Sequence, residues 1–346
     1  MAQQVQGSTC PYCGFVLQHE RVLPKHLLVC KKAPANVQTV ASAPKPVVKQ
    51  PAVVTVPTPA PTLVIPQGME IPAVDSDFKV SDEHVAFLNI LQEMRIKGDI
   101  TNVRIVGPSG LGKSSLAYLF ASVYKCPFLD WQCHLVTEVD EWWGIRELDV
   151  ATGTHMDESI LVQAIETPRA VILLDEVNRA HPIVLNGLLG LLDHRRRQWV
   201  PTLKRYVTVA EGVTFFLSMN QGAEYNAVNE LDKAFSDRAP ITMRVTYPEA
   251  SIEREILVSR KGISEDNANH LVRFAGILRG NDRIDVDVST RVLLATAHLI
   301  SRGMELRDAV KFACINSVYE ESDRTTCLQA LQQSEPAQTP DLGTPV

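Results

Sequence analysis

Apolar residues follow two kinds of pattern along this chain. In the middle they form continuous runs that are too short for helices and are typical of buried strands, at residues 103–106, 170–174 and 213–218. Later they recur at helical spacing, so that one face of each segment is apolar, at residues 252–259, 267–278 and 289–301. The pattern therefore predicts an α/β unit with a parallel sheet, followed by a helical unit.

Residues 33–66 carry neither pattern. They are dominated by Pro, Ala, Val, Gln and Thr, and Lys45 and Lys49 are their only charged residues. Such a segment cannot bury a core by itself and is typical of an extended linker with polyproline character. We predict domains at 1–32, 77–247 and 248–333, with a Pro-rich linker at 33–76 and a flexible tail at 334–346.

The chain is mildly acidic, with a formal net charge of −6 and an isoelectric point near 5.9. This balance argues against a surface made as a whole for DNA, but a local basic patch remains open. No apolar run approaches the roughly 18 residues of a membrane span. Residues 1–4 do not open a signal peptide. We therefore expect a cytoplasmic protein without a membrane segment.

Three of the seven cysteines lie within the first thirty residues, close to a histidine. The set is Cys10, Cys13, His26 and Cys30, with the spacing Cys-x2-Cys-x12-His-x3-Cys. Two thiolates on a tight turn and a His/Cys pair one helical turn apart can close a tetrahedron around Zn²⁺. So small a segment needs the metal in order to fold. The spacing predicts a small zinc finger over residues 1–32.

The role of this finger is open between protein docking and nucleic-acid contact. Its cysteines and residues 23–27 resemble the small CCHC fingers that bind ubiquitin in DNA-repair proteins, although Leu28 stands where those fingers carry an aspartate. Val22 takes a base-facing position of DNA-reading fingers and cannot offer a bidentate hydrogen bond. Lysines at positions 25, 31 and 32 keep weak nucleic-acid contact open. A docking role is favoured.

A glycine-rich turn follows the first predicted strand and precedes an apolar helix at 115–120. Its spacing, Gly-x4-Gly-Lys-Ser, is that of a Walker A loop, in which backbone N–H groups cradle the β-phosphate at a helix N-terminus. Lys113 would reach the β/γ-phosphates, and the Ser114 hydroxyl would ligate Mg²⁺. The predicted nucleotide-binding residues are Gly107, Pro108, Ser109, Gly110, Leu111, Gly112, Lys113, Ser114 and Ser115.

Two carboxylates end the second predicted strand, and an asparagine ends the third. Asp175 would bind the nucleotide with Ser114 by completing the Mg²⁺ shell, and Glu176 would be the base that polarises the attacking water. Asn220 lies at the carboxyl end of a buried strand, where open α/β sheets place ligand contacts, and would orient that water. These residues predict ATP hydrolysis.

Together these motifs resemble the AAA+ ATPases. The run Leu-Asp-Glu-Val-Asn-Arg-Ala at 174–180 is similar to the MoxR group, which includes the CbbQ/NorQ activators and the CobS chelatase subunit. The resemblance covers residues 80–320. It implies an AAA+ P-loop NTPase with a parallel five-stranded sheet and a C-terminal α-helical lid, ATP and Mg²⁺ as cofactors, and a homo-hexameric ring.

The same resemblance implies roles for three polar side chains. Asn220 matches sensor 1, Arg291 matches sensor 2, and Arg238 matches the arginine finger that acts on the neighbouring subunit's nucleotide. An alanine follows this arginine where the family has an aromatic residue, and Arg254 and Arg260 are alternatives for the finger. A fixed guanidinium is well suited to neutralise charge on the γ-phosphate.

Two further segments resemble hairpins of this group: residues 142–153 lie where the family inserts a hairpin into its second helix, and residues 198–209 look like the hairpin before sensor 1. Both would project towards a central pore. Trp142, Trp143 and Trp199 are therefore candidates for contact with a client protein.

We expect an ATP-driven remodelling motor that acts on an unknown partner protein and is recruited through its zinc finger. Two other functions remain open. One is a DNA-associated motor of the McrB-like branch, in which the finger and the basic run at 195–197 contact DNA. The other is a CobS-like metal-chelatase ATPase subunit, whose partner would carry a von Willebrand-type metal-binding domain.

Overall fold

The computed structural model describes residues 8–9, 16–17, 64–149, 153–220, 232–281, 284, 286 and 288–335. Contacts between residues divide the chain into two units, Met1–Pro61 and Thr62–Val346. In the first unit, β1 (Ser8–Thr9) pairs antiparallel with β2 (Val16–Leu17). The predicted zinc ligands lie outside the described residues; they are Cys10, Cys13, His26 and Cys30.

A five-stranded parallel sheet forms the centre of the second unit. The strands of this unit, in chain order, are β3 (Thr101–Gly107), β4 (Phe128–Gln132), β5 (Gly144–Asp149), β6 (Gly153–Glu158), β7 (Val171–Asp175), β8 (Arg197–Val200), β9 (Arg205–Thr208), β10 (Thr214–Asn220) and β11 (Ile241–Arg244). The central sheet has the order β11-β3-β10-β7-β4, and all its neighbours are parallel. The predicted parallel five-stranded sheet is confirmed.

The three strands that the apolar runs predict are the three inner strands of this sheet. β3, β10 and β7 are buried along nearly their whole length, which is why their sequences are continuously apolar. The two edge strands are less buried: only the first two residues of β4 and one residue of β11 are buried, and the rest are exposed or half-buried. Because an edge strand is only half covered, neither gives a long apolar run, and the hydrophobic pattern did not identify them.

Helices cover both faces of the sheet. Those that precede residue 240 are α1 (Asp82–Ile96), α2 (Lys113–Val123), α3 (Ile160–Ile165), α4 (Pro182–Leu185), α5 (Leu189–Leu192) and α6 (Lys233–Ser236). Adjacent strand residues point to opposite faces, so Phe216 packs with Phe120 of α2 while Phe215 packs in the core that contains Trp142. No helix among the described residues is both long enough and apolar enough to cross a membrane.

Both predicted hairpins are present, since β5 pairs with β6 and β8 with β9 in antiparallel register. The prediction that Trp142 and Trp143 contact a client is wrong, because they are 0% and 2% exposed and belong to the core. The Trp142 indole N–H donates to the carbonyl of Val184 at 2.9 Å. Trp199 is 47% exposed and packs edge-on against Tyr206 in the second hairpin.

Arg205 ties the two hairpins together. Its guanidinium bonds Glu158, at the end of β6, at 2.9 Å and Glu166, just after α3, at 2.5 Å. The hydrogen bonds that Arg205 donates to Glu166 and Glu158 raise the pKa of Arg205 above its usual range. A movement of one hairpin would therefore be transmitted to the other.

The chain ends in a group of helices with its own core. They are α7 (Ala250–Lys261), α8 (Glu265–Arg279), α9 (Thr290–Ser301), α10 (Leu306–Ala313) and α11 (Glu321–Ser334). Their core includes Leu257, Leu271 and Phe274. The helical periodicity identified α7, α8 and α9. It missed α10, and it missed α11, where three of the four buried residues are small: Cys327, Ala330 and Ser334.

Candidate active site

The turn between β3 and α2 has the backbone geometry of a phosphate cradle. Gly110 and Gly112 have φ angles of 73° and 82°, in the left-handed region that favours glycine. A Cβ atom on Gly107 would lie 2.2 Å from the carbonyl oxygen of Val245, so only glycine fits there. The Lys113 ammonium donates to the loop carbonyls of Gly107 and Pro108, at 3.0 Å and 2.6 Å.

The carboxyl ends of four parallel strands bring the predicted polar residues together. Strand register places Asn220 opposite Gly107 and Gln132 opposite Asp175. The Ser114 hydroxyl donates to Oδ2 of Asp175 at 3.2 Å. A second hydroxyl, that of Ser218 on β10, donates to Oδ1 of the same carboxylate. Ser114 and Asp175, which sequence reasoning paired, are therefore in direct contact.

Glu176 has a strained backbone and a crowded carboxylate. Its φ of 53° lies in the left-handed region, where a non-glycine residue costs of order 1–3 kcal/mol and is held by its surroundings. Its N–H donates to the Ser218 hydroxyl at 3.1 Å. Oε1 accepts from Asn220 Nδ2 at 3.1 Å, and Oε2 lies 3.3 Å from both His134 Nδ1 and Arg179 Nη1. The predicted base and the predicted sensor are hydrogen-bonded to each other.

Asn178 is a site residue to which sequence reasoning gave no role. It is 3% exposed; its Nδ2 donates to the Asn220 carbonyl at 2.7 Å, and its Oδ1 accepts from the Asn220 N–H at 3.3 Å. This reciprocal pair joins β10 to the turn after β7. The asparagine in the Asp-Glu-x-Asn-Arg run was the only signal, and its partner, forty-two residues later, could not be read from the sequence.

A pocket of about 460 Å³ adjoins the phosphate loop. Its volume is within the range of small-molecule and cofactor sites. Its apolar lining comes from the segment before α1, from the loop itself and from the C-terminal helices, and includes Phe78, Val80, Leu111, Tyr247, Ile252 and Leu294. A Cβ on Gly112 would lie 3.1 Å from the Phe78 ring, so the ring covers the loop. Sequence reasoning missed this lining because such residues resemble any other core residue.

The predicted arginines occupy different places. Arg291 lines the 460 Å³ pocket, and its Cβ is close to Gly110 of the phosphate loop. Arg238 instead lines a separate cavity beside Asp193. Its Nη1 donates to the Ala234 carbonyl at 2.6 Å, while its buried Nε has no acceptor among the described residues. Arg291 is thus near the nucleotide pocket of its own chain, and Arg238 does not line it.

The two alternative arginines both form ion pairs within the chain. Arg254 pairs with Glu265 at 3.2 Å and bonds Asn269. Arg260 lines the 460 Å³ pocket and pairs with Asp75, so it joins α7 to the segment before α1.

The loop and the acids fit Mg²⁺ and ATP. Magnesium prefers oxygen ligands, is usually held by one or two protein groups, and takes the rest from phosphates and water. The adjacent Ser114 hydroxyl and Asp175 carboxylate are such a pair. The loop's left-handed glycines are those that a phosphate cradle requires, and the apolar pocket next to it suits a nucleobase.

Two groups near these acids have raised pKa values. Burial, and next the neighbouring Asp175 carboxylate, raise the pKa of the Asp130 carboxyl. The pKa of the buried Cys133 thiol is raised well above its usual value by burial, with Asp175 and Asp130 adding to the effect. Cys133 is therefore a neutral core residue at physiological pH.

The basic run at 195–197 does not form a free cationic patch. Arg195 pairs with Asp193 at 2.6 Å, and Arg197 lies over the Tyr206 ring at 4.8 Å from its centroid. Arg196 turns inwards and donates to the Val213 carbonyl at 2.9 Å, and burial lowers its pKa to about 10. An inward guanidinium cannot reach a phosphate backbone, so the run is poorly arranged for DNA.

Two family models match the chain. The AAA domain of the dynein-related subfamily matches residues 102–239, which include the phosphate loop, the acids and Arg238. The CbbQ/NirQ/NorQ C-terminal region matches residues 253–334, which include α8 to α11.

Curated relatives cover the same part of the chain. BssE of Thauera aromatica is 33% identical over 244 residues, which are 70% of this chain and 84% of BssE. NorQ of Paracoccus denitrificans is 29% identical over 223 residues, 64% of this chain and 81% of NorQ. The denitrification regulatory protein NirQ of Pseudomonas aeruginosa is 29% identical over 213 residues, 61% of this chain and 80% of NirQ.

Proposed function

Since the chain belongs to the dynein-related AAA+ ATPases with a CbbQ/NirQ/NorQ C-terminal region and hydrolyses ATP, we propose that it is a MoxR-like remodelling motor acting on a partner protein. The observation that carries this proposal is the composition of the nucleotide pocket. Its walls come from both the sheet unit and the C-terminal helices. A change from ATP to ADP would therefore alter how the helices sit on the loop, which is the movement that a motor needs.

The hydrolytic roles follow from the contacts. The loop and Lys113 would hold the phosphates, and Ser114 and Asp175 would hold Mg²⁺, which would supply charge neutralisation on the transferred phosphoryl group. Glu176 takes the proton of the attacking water. Asn220 holds the Glu176 carboxylate in place through its 3.1 Å hydrogen bond. Each of these roles is part of the proposal.

Arg238 acts on the nucleotide of a neighbouring subunit in this account, and the chain works as a homo-hexameric ring. The support is that Arg238 does not line the pocket of its own chain and keeps an unsatisfied Nε among the described residues. Arg291 supplies the positive charge from within the chain. Hydrolysis then depends on assembly, which prevents idle turnover by isolated subunits.

The N-terminal segment is proposed to be a zinc finger that recruits the partner. Its support is the Cys-x2-Cys-x12-His-x3-Cys spacing and the pairing of β1 with β2, between which Cys10 and Cys13 fall in the sequence. A short antiparallel hairpin that presents two cysteines is how a ββα finger begins. Metal analysis should give one zinc per chain, and Cys10→Ser should lose it.

The test of the motor is capture of the partner in the ATP state. Glu176→Gln should bind ATP without hydrolysing it and hold a partner protein from native lysate, identified by mass spectrometry. The control is Glu176→Gln combined with Lys113→Ala, which should bind no nucleotide and release that partner. Absence of any protein that depends on ATP for its capture would contradict the proposed function.

A further inference from the structure

A groove of about 770 Å³ opens beside the sheet edge formed by β4. It is distinct from the nucleotide pocket, with which it shares no lining residue. We call it the acidic groove because its walls carry four carboxylates and two exposed apolar side chains: Asp130, Glu138, Asp140, Glu141, Leu135 and Ile145.

The charges of the acidic groove are unbalanced. No lysine, arginine or histidine lines it, and none of its four carboxylates has an ion-pair partner among the described residues. Glu141 accepts hydrogen bonds from the backbone and hydroxyl of Thr137, at 2.7 Å and 2.9 Å, and Asp130 accepts one from Gln132 at 2.9 Å. Glu138 and Asp140 are both exposed. The groove therefore attracts cations and repels phosphate.

The acidic groove also exposes large apolar side chains, which a bound partner would cover. Leu135 is 68% and Ile145 69% exposed, which is unusual for large aliphatic side chains that stand together in one cavity. The Trp131 indole N–H in its wall is buried without an acceptor among the described residues. A small cation or a polyamine would satisfy the carboxylates and leave Leu135 and Ile145 in water. A polypeptide with basic and large apolar side chains satisfies both.

The acidic groove is joined to the candidate active site by the end of β4 and the turn that follows. Gln132 lines the groove and stands opposite Asp175 in the sheet. His134 contacts Glu176 at 3.3 Å, and the next residue, Leu135, lines the groove. An occupant that moves Leu135 would therefore move His134 against the carboxylate of the proposed base.

We propose, on the premise that the chain remodels a partner protein, that the acidic groove binds a segment of that partner in which Lys or Arg alternates with large apolar residues. Binding there changes the rate of ATP hydrolysis through the segment that joins Gln132 to Leu135. The acidic groove is thus the place where the motor recognises the chemistry of its client.

The probe is a short labelled peptide in which Lys and Leu alternate, and the readout is fluorescence anisotropy with the full chain. The peptide should bind, and binding should weaken steeply with added salt because exposed charges are screened within about 10 Å at 0.1 M salt. The double variant Glu138→Gln/Asp140→Asn should weaken binding roughly tenfold, as expected for the loss of two exposed ion pairs. The peptide should also change the ATPase rate.

Two controls distinguish binding in the acidic groove from attraction by the overall charge of the protein. Asp308→Asn/Glu321→Gln makes the same change of net charge on exposed residues of α10 and α11, and should leave peptide binding as in the wild type. Peptides with Glu in place of Lys, or Ser in place of Leu, should bind at least roughly tenfold more weakly. Urea unfolding curves of both double variants should each show a cooperative transition, which checks that the variants are folded.

Equal binding of the Lys/Leu peptide to both double variants would overturn the proposal, as would tight binding of the Ser-substituted peptide. A groove variant that loses self-association while peptide binding is unchanged would overturn it in favour of a second copy of the chain. The proposed motor function fails on a different result, namely that Glu176→Gln captures no partner that depends on ATP. If the triple variant Glu138→Gln/Asp140→Asn/Glu176→Gln still captures that partner, only the groove proposal is refuted.

Discussion

A buried ion pair holds the C-terminal helices to the nucleotide pocket. Glu253 of α7 is 1% exposed and receives two hydrogen bonds from Arg279, at 2.7 Å and 2.9 Å, and one from the Thr290 hydroxyl at 2.7 Å. Arg279 also lies 4.0 Å from the centroid of the Tyr247 ring, which lines the pocket. Thr290 begins α9 and precedes Arg291. The pair therefore connects α7, α8 and α9 at the point where they meet the nucleotide.

Glu253→Gln is expected to destabilise the protein by about 3 kcal/mol. Removing one partner of a buried ion pair costs about 3–5 kcal/mol because the other charge is left uncompensated. The lower end applies here, since Arg279 is 14% exposed and keeps its hydrogen bonds to the Val288 carbonyl, at 2.9 Å and 2.6 Å. Glutamine retains one acceptor oxygen but turns an N–H₂ group towards the guanidinium.

Urea unfolding followed by far-ultraviolet circular dichroism measures this loss. The matched control is Glu255→Gln on the same helix, whose carboxylate is 60% exposed and pairs with Lys79 at 2.7 Å. An exposed pair contributes about 0–1 kcal/mol, so this variant should unfold nearly as the wild type does. Glu253→Gln should also weaken ATP binding a few-fold, because α9 carries Arg291. Equal midpoints for the two variants would refute the reasoning.

Three further changes test other parts of the account. Asn178→Ala should lower the free energy of unfolding by about 2–4 kcal/mol, because both backbone groups of Asn220 lose a buried partner. It should also lower kcat roughly tenfold or more, with little change in the KM for ATP. An unchanged kcat would show that Asn178 has no part in the site. Arg238→Ala mixed with Lys113→Ala should recover ATPase activity that neither has alone, and no recovery at any ratio would contradict a finger acting on the next subunit. Titration with Ellman's reagent should detect the three N-terminal cysteines after a chelator removes zinc, and the four buried cysteines only after the protein is denatured. Reaction of all seven cysteines in the native protein would contradict both the zinc site and the burial of the other four.

The parts of the site that the sequence predicted are those with strict local requirements. Left-handed glycines, a lysine and a hydroxyl at fixed spacing leave few other functions for the turn at 107–114. Asp175 and Asn220 could be placed because the carboxyl ends of inner strands meet at one edge of a parallel sheet. The same reasoning located the inner strands, whose burial on both faces makes them continuously apolar.

What the sequence could not predict depends on contacts between distant segments. Ser218 and Asn178 acquire their roles only when β10 lies beside β7, and nothing near them in the sequence marks this. For Trp142 the sequence suggested a functional role that the residue does not have. A tryptophan beside a hairpin can either pack in the core or contact a client, and only the three-dimensional packing shows which of the two occurs. The acidic groove likewise needs β4 and the first hairpin side by side.

The role proposed for Glu176 is to activate the water that hydrolyses ATP. Single-turnover hydrolysis and nucleotide binding in Glu176→Gln measure that role. Binding of ATP should stay within about threefold of the wild type, while hydrolysis falls by roughly 10²–10⁴-fold, the contribution of a general base. Hydrolysis at the wild-type rate, with binding intact, would contradict the assignment of Glu176 and the account built on it.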